Sequence, residues 1–305
     1  MDRFNPIISS LLAMLSSIIL LTPPVTGQGA RTEEILKTII SGGKVPQEPL
    51  PVNADPISTR KRTISRGSER ITSEGNASPG KKSTAKKQAG AGTADDALYR
   101  TGVDFFNSGM YEAAVKSFAE LKSKHPQSAQ LHSAMIYSGK ANMRLRDYKK
   151  AIDDMSVVPT ESGEYPASLF HQAEARLGMG NRADAIALFS RVAVQFPQTA
   201  LADDSLIRAG QVYLDDGKGR QALDSAVRVI RHYGDRETVD DAYFLVGQVY
   251  EKDPEVRDVE VSRKVYKVFI GKAESGEKHF DKSPLLRRVK RELRELESRY
   301  FRYEK

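Results

Sequence analysis

The apolar positions from Ala97 to Pro126 fall on two helical faces separated by a turn. Leu98, Gly102 and Phe105 share one face of the first helix. Ala114 and Phe118, four apart, share a face of the second, and Pro126 stops it because proline cannot continue the hydrogen-bond ladder. Gly109 and Tyr111 lie between the two. The small residues carry the argument: two helices approach closely only where no side chain stands between their backbones. The pattern then recurs. Gly102 returns as Gly139, Ala173, Gly210 and Gly247, at steps of 37, 34, 37 and 37. Ala114 returns as Ala151, Ala185 and Ala222, at steps of 37, 34 and 37. Phe118 returns as Met155 and Phe189, Phe105 as Tyr213 and Tyr250, and Pro126 as Pro197. Two registers with one spacing predict an all-α chain of about five stacked helix pairs, since each pair alone leaves an apolar face unburied.

This combination of large, Gly, aromatic, Ala, Phe and Pro at set offsets resembles the tetratricopeptide repeat, which implies a superhelix with a concave groove. The repeats span about 95–128, 132–160, 166–198 and 203–235. Repeat two is less regular, because Val157-Val158-Pro159 ends it early. A fifth opens with Tyr243, Gly247 and Tyr250; an insertion around Lys252 to Val259 displaces its second helix, leaving Ser262 and Tyr266 the small and aromatic roles. The array therefore covers 95–270. Residues 283–305 predict one more helix, capped by Ser283 and begun by Pro284, with Leu286, Val289, Leu293, Leu296, Tyr300 and Tyr303 on one stripe. It reads as a capping helix on the last repeat, or as the seam of a homodimer.

The chain ahead of the array has a different character. An apolar run from Ile7 to Leu21, then Thr22-Pro23-Pro24-Val25-Thr26-Gly27, reads as a signal peptide over 1–27 and an exported, periplasmic protein. An uncleaved inner-membrane anchor is the alternative. Residues 28–94 read as a disordered basic linker, rich in Gly, Ser, Pro and Lys, with a short helix over 33–40 carrying Ile35, Leu36, Ile39 and Ile40. That helix docks on a partner or folds back on the array. The linker's end-to-end distance is ~40 Å. Its charge is that of a tether touching anionic lipid or cell-wall polymer, or of a solvated spacer.

The net charge of +7 comes from the two ends. Residues 31–94 hold 12 Lys/Arg against 6 Asp/Glu, and 283–305 hold 8 against 4. Residues 95–282 hold 26 against 29, so the array has no basic footprint for nucleic acid. With no cysteine, disulfides are excluded, as is a lipidated N-terminal cysteine, and zinc is disfavoured. His125, His132, His171, His232 and His279 form no close ligand pair. GNASPGK at 75–81 mimics a phosphate loop, but Lys82 replaces the metal-binding hydroxyl and no strand precedes it. No metal, cofactor or catalytic set is expected, and the chain reads as a non-enzyme.

The junctions His125-Pro126-Gln127-Ser128-Ala129 and Phe196-Pro197-Gln198-Thr199-Ala200, with Leu201 to Tyr213 following, resemble those of envelope tetratricopeptide proteins. These are the Tol-Pal-associated cell-division coordinators and the outer-membrane-assembly lipoprotein. The chain departs from both, having neither the lipidated cysteine nor an N-terminal coiled coil. The resemblance implies an adaptor holding a peptide of an envelope protein in its concave face. The repeat register assigns that face. Its fifth positions are Tyr99, Ile136, Phe170, Ile207 and Phe244. Its ninth are Val103, Lys140, Glu174, Gln211 and Gln248, and its twelfth include Phe106, Met143 and Leu177. The same residues also suit ordinary inter-repeat core. Val103 stands where a carboxylate-clamp member needs a polar side chain, so capture of a chaperone tail is not expected. The alternative function is a structural envelope protein that self-associates through 283–305.

Overall fold

The computed structural model describes residues 26–50 and 93–302. The apolar leader at 7–21, most of the linker, and Tyr303 lie outside the described residues. Twelve helices and no strand occur among those described. They form two units, residues 49–50 with 93–209 and residues 26–48 with 210–302.

The first unit holds three helix pairs. They are α2 (Ala94–Asn107) with α3 (Tyr111–Lys124), α4 (Leu131–Arg144) with α5 (Tyr148–Met155), and α6 (Tyr165–Gly178) with α7 (Arg182–Gln195). In each pair the first helix is called A and the second B. Small residues set the pair distance. A Cβ built on Gly102 would fall inside the ring of Phe118, which is fully buried. Gly139 faces Met155 and the carbonyl of Ala151 in the same way. α5 stops at Met155, a turn and a half short of its counterparts, and the chain then buries Val158. The A helices pack on one another in sequence, α2 on α4 and α4 on α6.

The A helices of the first four repeats end in the same manner. Gly109, Arg146, Gly180 and Gly217 share one register position, and all four have left-handed backbones, with φ of 75, 62, 81 and 67°. The amides that follow reach back to close the last turn: Met110 to Phe105, Asp147 to Asn142, Asn181 to Arg176 and Lys218 to Tyr213. This is the Schellman geometry, which glycine adopts without steric cost and arginine does not.

A hydroxyl staples successive repeats. Ser128 donates to Asp95 at 2.6 Å, while its oxygen accepts from the Gln130 amide. Ser162 pairs with His132 and accepts from the Glu164 amide. Ser283 donates to Asp240 and accepts from the Leu285 amide. Ser128 holds the Asp95 carboxyl down at about 2. Burial pushes Asp240 the other way, despite its serine.

The second unit contains α1 (Thr26–Ile40), the end of α8 (Leu201–Asp215) from Gly210, α9 (Gly219–His232), α10 (Val239–Lys252), α11 (Val259–Glu274) and α12 (Leu286–Tyr300). Gly247 lies against Tyr266, and Ser262 donates to the Gly247 carbonyl at 2.9 Å, so the inserted turn moves α11 along the chain and keeps the pairing chemistry. α12 lies on α11 and buries Val289, Leu293 and Leu296. Three residues of its apolar stripe are thus covered, while Leu286 is half-buried and Tyr300 exposed. α1 is longer than the expected helix at 33–40 and packs on α9 and α11.

Candidate functional site

The expected groove residues fall into three groups. In the first unit, Tyr99, Val103 and Phe106 of α2, Lys140 and Met143 of α4, Glu174 and Leu177 of α6, and Ile207 of α8 are half-buried. Ile136 and Phe170 on the same helices are closed, at 7 % and 8 % exposure, and Phe170 packs edge-on against Phe189. They are inter-helix core rather than open lining. In the second unit Gln211 is half-buried and donates to Asp215. Phe244 and Gln248 there are buried, at 5 % and 4 %. Phe244 lies beside Tyr266, and the Arg288 guanidinium of α12 sits over its face at 4.8 Å. The assignment of Phe244 and Gln248 to an open groove is therefore corrected: both are buried, and Arg288 of the chain's own last helix covers Phe244.

What remains open in the first unit is an aromatic wall beside an ion cluster. Tyr137 is its centre. Its ring meets Tyr99 at 6.2 Å, Phe106 at 5.4 Å and Phe118 at 6.1 Å. Burial, with Tyr137 and Glu164 nearby, pushes the Tyr99 hydroxyl up to about 12. The Lys140 ammonium stands 5.1 Å from the Tyr137 centroid and 5.5 Å from that of Phe106. Cation–π contact of this kind contributes about 0.5–1 kcal/mol at a half-exposed site.

Beyond Lys140, Glu174 is held by two groups. His171 Nδ1 lies 2.8 Å from one carboxylate oxygen, and Arg208 donates to the other at 2.8 Å. Burial raises the Glu174 pKa, but the His171 and Arg208 contacts outweigh it and keep the carboxyl below its usual value. Lys140 differs. Burial lowers its pKa against the more distant pull of Glu174, and among the described residues no carboxylate makes an ion pair with it. The face thus offers apolar surface and one half-buried ammonium whose contacts are aromatic.

Tyr137, His171 and Arg208 were not assigned by the register, although they share one position, the sixth, immediately after the fifth. The signal was present as an aromatic, a histidine and an arginine in step across three repeats. Among the described residues, no group of three or more His, Asp or Glu side chains is placed to hold a metal. Among them, too, no helix is long and apolar enough to cross a membrane.

Comparison with known proteins bears on the repeats directly. The tetratricopeptide repeat model matches residues 96–128 and 167–199, the first and third pairs. These two helix pairs match the tetratricopeptide repeat. A tetratricopeptide repeat protein from Parabacteroides merdae superposes with a TM-score of 0.53 at 13 % identity, over 69 % of this chain and 76 % of that one. A thermophilic tetratricopeptide protein of Thermus thermophilus covers 67 % of this chain and 98 % of its own, at 15 % identity and a TM-score of 0.45. The MamA protein covers 59 % and 94 %, at 17 % identity and a TM-score of 0.48. No curated protein matches the chain in sequence.

Proposed function

We propose that the protein is a non-catalytic adaptor that holds a peptide segment of a partner on the A-helix face of its first three repeats. The observation that supports this most is Lys140, a half-buried ammonium between two aromatic rings with no carboxylate of its own. Burying a cation costs free energy unless it is paired, so a position of this kind is best completed by a carboxylate from outside. Tyr99, Phe106, Met143 and Leu177 flank it and receive apolar side chains of the same peptide. The partner class is therefore an extended or helical segment with an acidic residue next to apolar anchors. The leader at 7–21 and the junction sequences support an exported location and an envelope partner, with the basic linker near anionic lipid or cell wall.

Selection of random displayed peptides on the purified full chain tests the specificity. Wild-type protein enriches peptides with Asp or Glu beside an aromatic or large aliphatic residue, and Lys140→Glu loses the acidic preference while keeping the apolar one. Identical peptide compositions on the two proteins would contradict the reading.

A further inference from the structure

Residues 26–48 make a contact that the repeat register does not anticipate. α1 packs on the B helices α9 and α11, burying Ile35, Leu36 and Ile39, and the chain after it buries Val45. Thr32 donates to Asp224 at 3.3 Å. The segment then runs past the end of α9. The Glu48 amide donates to the Arg231 carbonyl at 2.9 Å. The Gln47 side chain donates to the Ile230 carbonyl at 3.0 Å and accepts from the Gly234 amide at 3.1 Å. These bonds satisfy carbonyl groups that a helix end leaves without partners. The Glu48 carboxylate lies 3.0 Å from Arg231 Nε, close enough for an ion pair but without hydrogen-bond geometry.

α9 differs from the other B helices where this contact is made. Counted from the shared small position, the outward residues are Val115, Ala119 and Lys122 in the first repeat and Ile186, Ser190 and Ala193 in the third. In the fourth they are Leu223, Val227 and Ile230, all large and apolar. Ala119 and Lys122 are exposed and Ser190 is half-buried, while Ile186 and Ala193 are buried at 9 and 2 % and Leu223, Val227 and Ile230 at 5, 1 and 2 %. What sets α9 apart is three large apolar side chains with residues 26–48 over them. Asp224 and Arg231, which flank the stripe, are the residues that Thr32 and Glu48 meet.

We propose that this stripe is a second protein-docking seat, formed by other residues than the groove above, and that residues 26–48 fill it as a displaceable strap. The partner it fits is an amphipathic helix with apolar residues at i, i+1 and i+4, the spacing of Ile35, Leu36 and Ile39, followed by a segment offering an amide and a carboxamide to the end of α9. Displacement is physically reasonable because an isolated helix of 15 residues is marginal in water, so α1 folds as it docks and part of its contact energy offsets that ordering. The covalent linkage favours the strap over a competitor only through effective concentration.

A labelled synthetic peptide of residues 26–48, followed by fluorescence anisotropy on the full-length chain, tests this. Ile39→Asp in the chain expels its own strap, and the peptide then binds at least tenfold more tightly than to wild type. The chain has no native cysteine, so Thr32→Cys with Asp224→Cys forms a unique pair. Oxidising that pair locks the strap and abolishes peptide binding; reduction restores it. This arm does not depend on how well the Ile39→Asp chain folds. Equal peptide affinity for wild type and Ile39→Asp, or peptide binding unchanged by the disulfide, overturns the proposal.

Discussion

Arg146 is the residue that most clearly bears a cost imposed by the repeat. It sits at φ 62° where the first, third and fourth repeats have Gly109, Gly180 and Gly217. The left-handed conformation costs an L-residue about 1–2 kcal/mol relative to glycine. Arg146 is exposed, and its amide bond to the Met143 carbonyl is independent of its side chain. Arg146→Gly therefore stabilises the protein by about 0.5–1 kcal/mol after allowing for glycine's larger unfolded-state entropy, and Gly180→Ala destabilises it by a similar amount. Urea unfolding midpoints check both signs. The left-handed position was legible as glycine in three repeats. Arginine in the second hid it, because no pattern of apolar residues reports a backbone angle.

Among the elements, the helix pairs were the most legible and the terminal helices the least. Gly102, Gly139 and Gly247 had to be small because Phe118, Met155 and Tyr266 stand against their backbones, and that constraint is visible as a spacing. The destination of α1 was not visible. Ile35, Leu36 and Ile39 mark an apolar face without naming what covers it. Its receptor left a trace, the three large residues of α9 where other repeats carry at most one. The groove register failed at Phe244 and Gln248 for a related reason: periodicity extends a surface indefinitely, and only packing shows that both are buried and that Arg288 of α12 covers Phe244. The role of α12 gives a prediction at this scale. Val289, Leu293 and Leu296 are buried, and burying each such side chain contributes about 1.5–3 kcal/mol. Truncation after Lys282 removes all three and uncovers Phe244, so stability falls on the order of 5 kcal/mol. A urea midpoint unchanged by the truncation would show that α12 is an appendage rather than a cap.

For the molecule as a whole, the two proposed contact surfaces differ. The first presents aromatic rings with Lys140 among them. The second presents a seat that its own N-terminal segment fills. Glu174 is engaged by His171 and Arg208, and Asp95 and Asp240 are engaged by serines as structural staples. The array is close to neutral and the positive charge lies at the chain's ends, so the proposed peptide capture would rest on shape and a single cation.

The central claim, that the A-helix face of the first three repeats holds a partner, is tested most directly by photo-cross-linking in the cell. A photo-reactive residue replaces Leu177, half-buried beside the ion cluster, and in a second protein replaces Glu112, exposed on α3. The account predicts an adduct with one other protein at Leu177 and none at Glu112. Adducts of the same composition at both positions, or adducts only between copies of this chain, would contradict it.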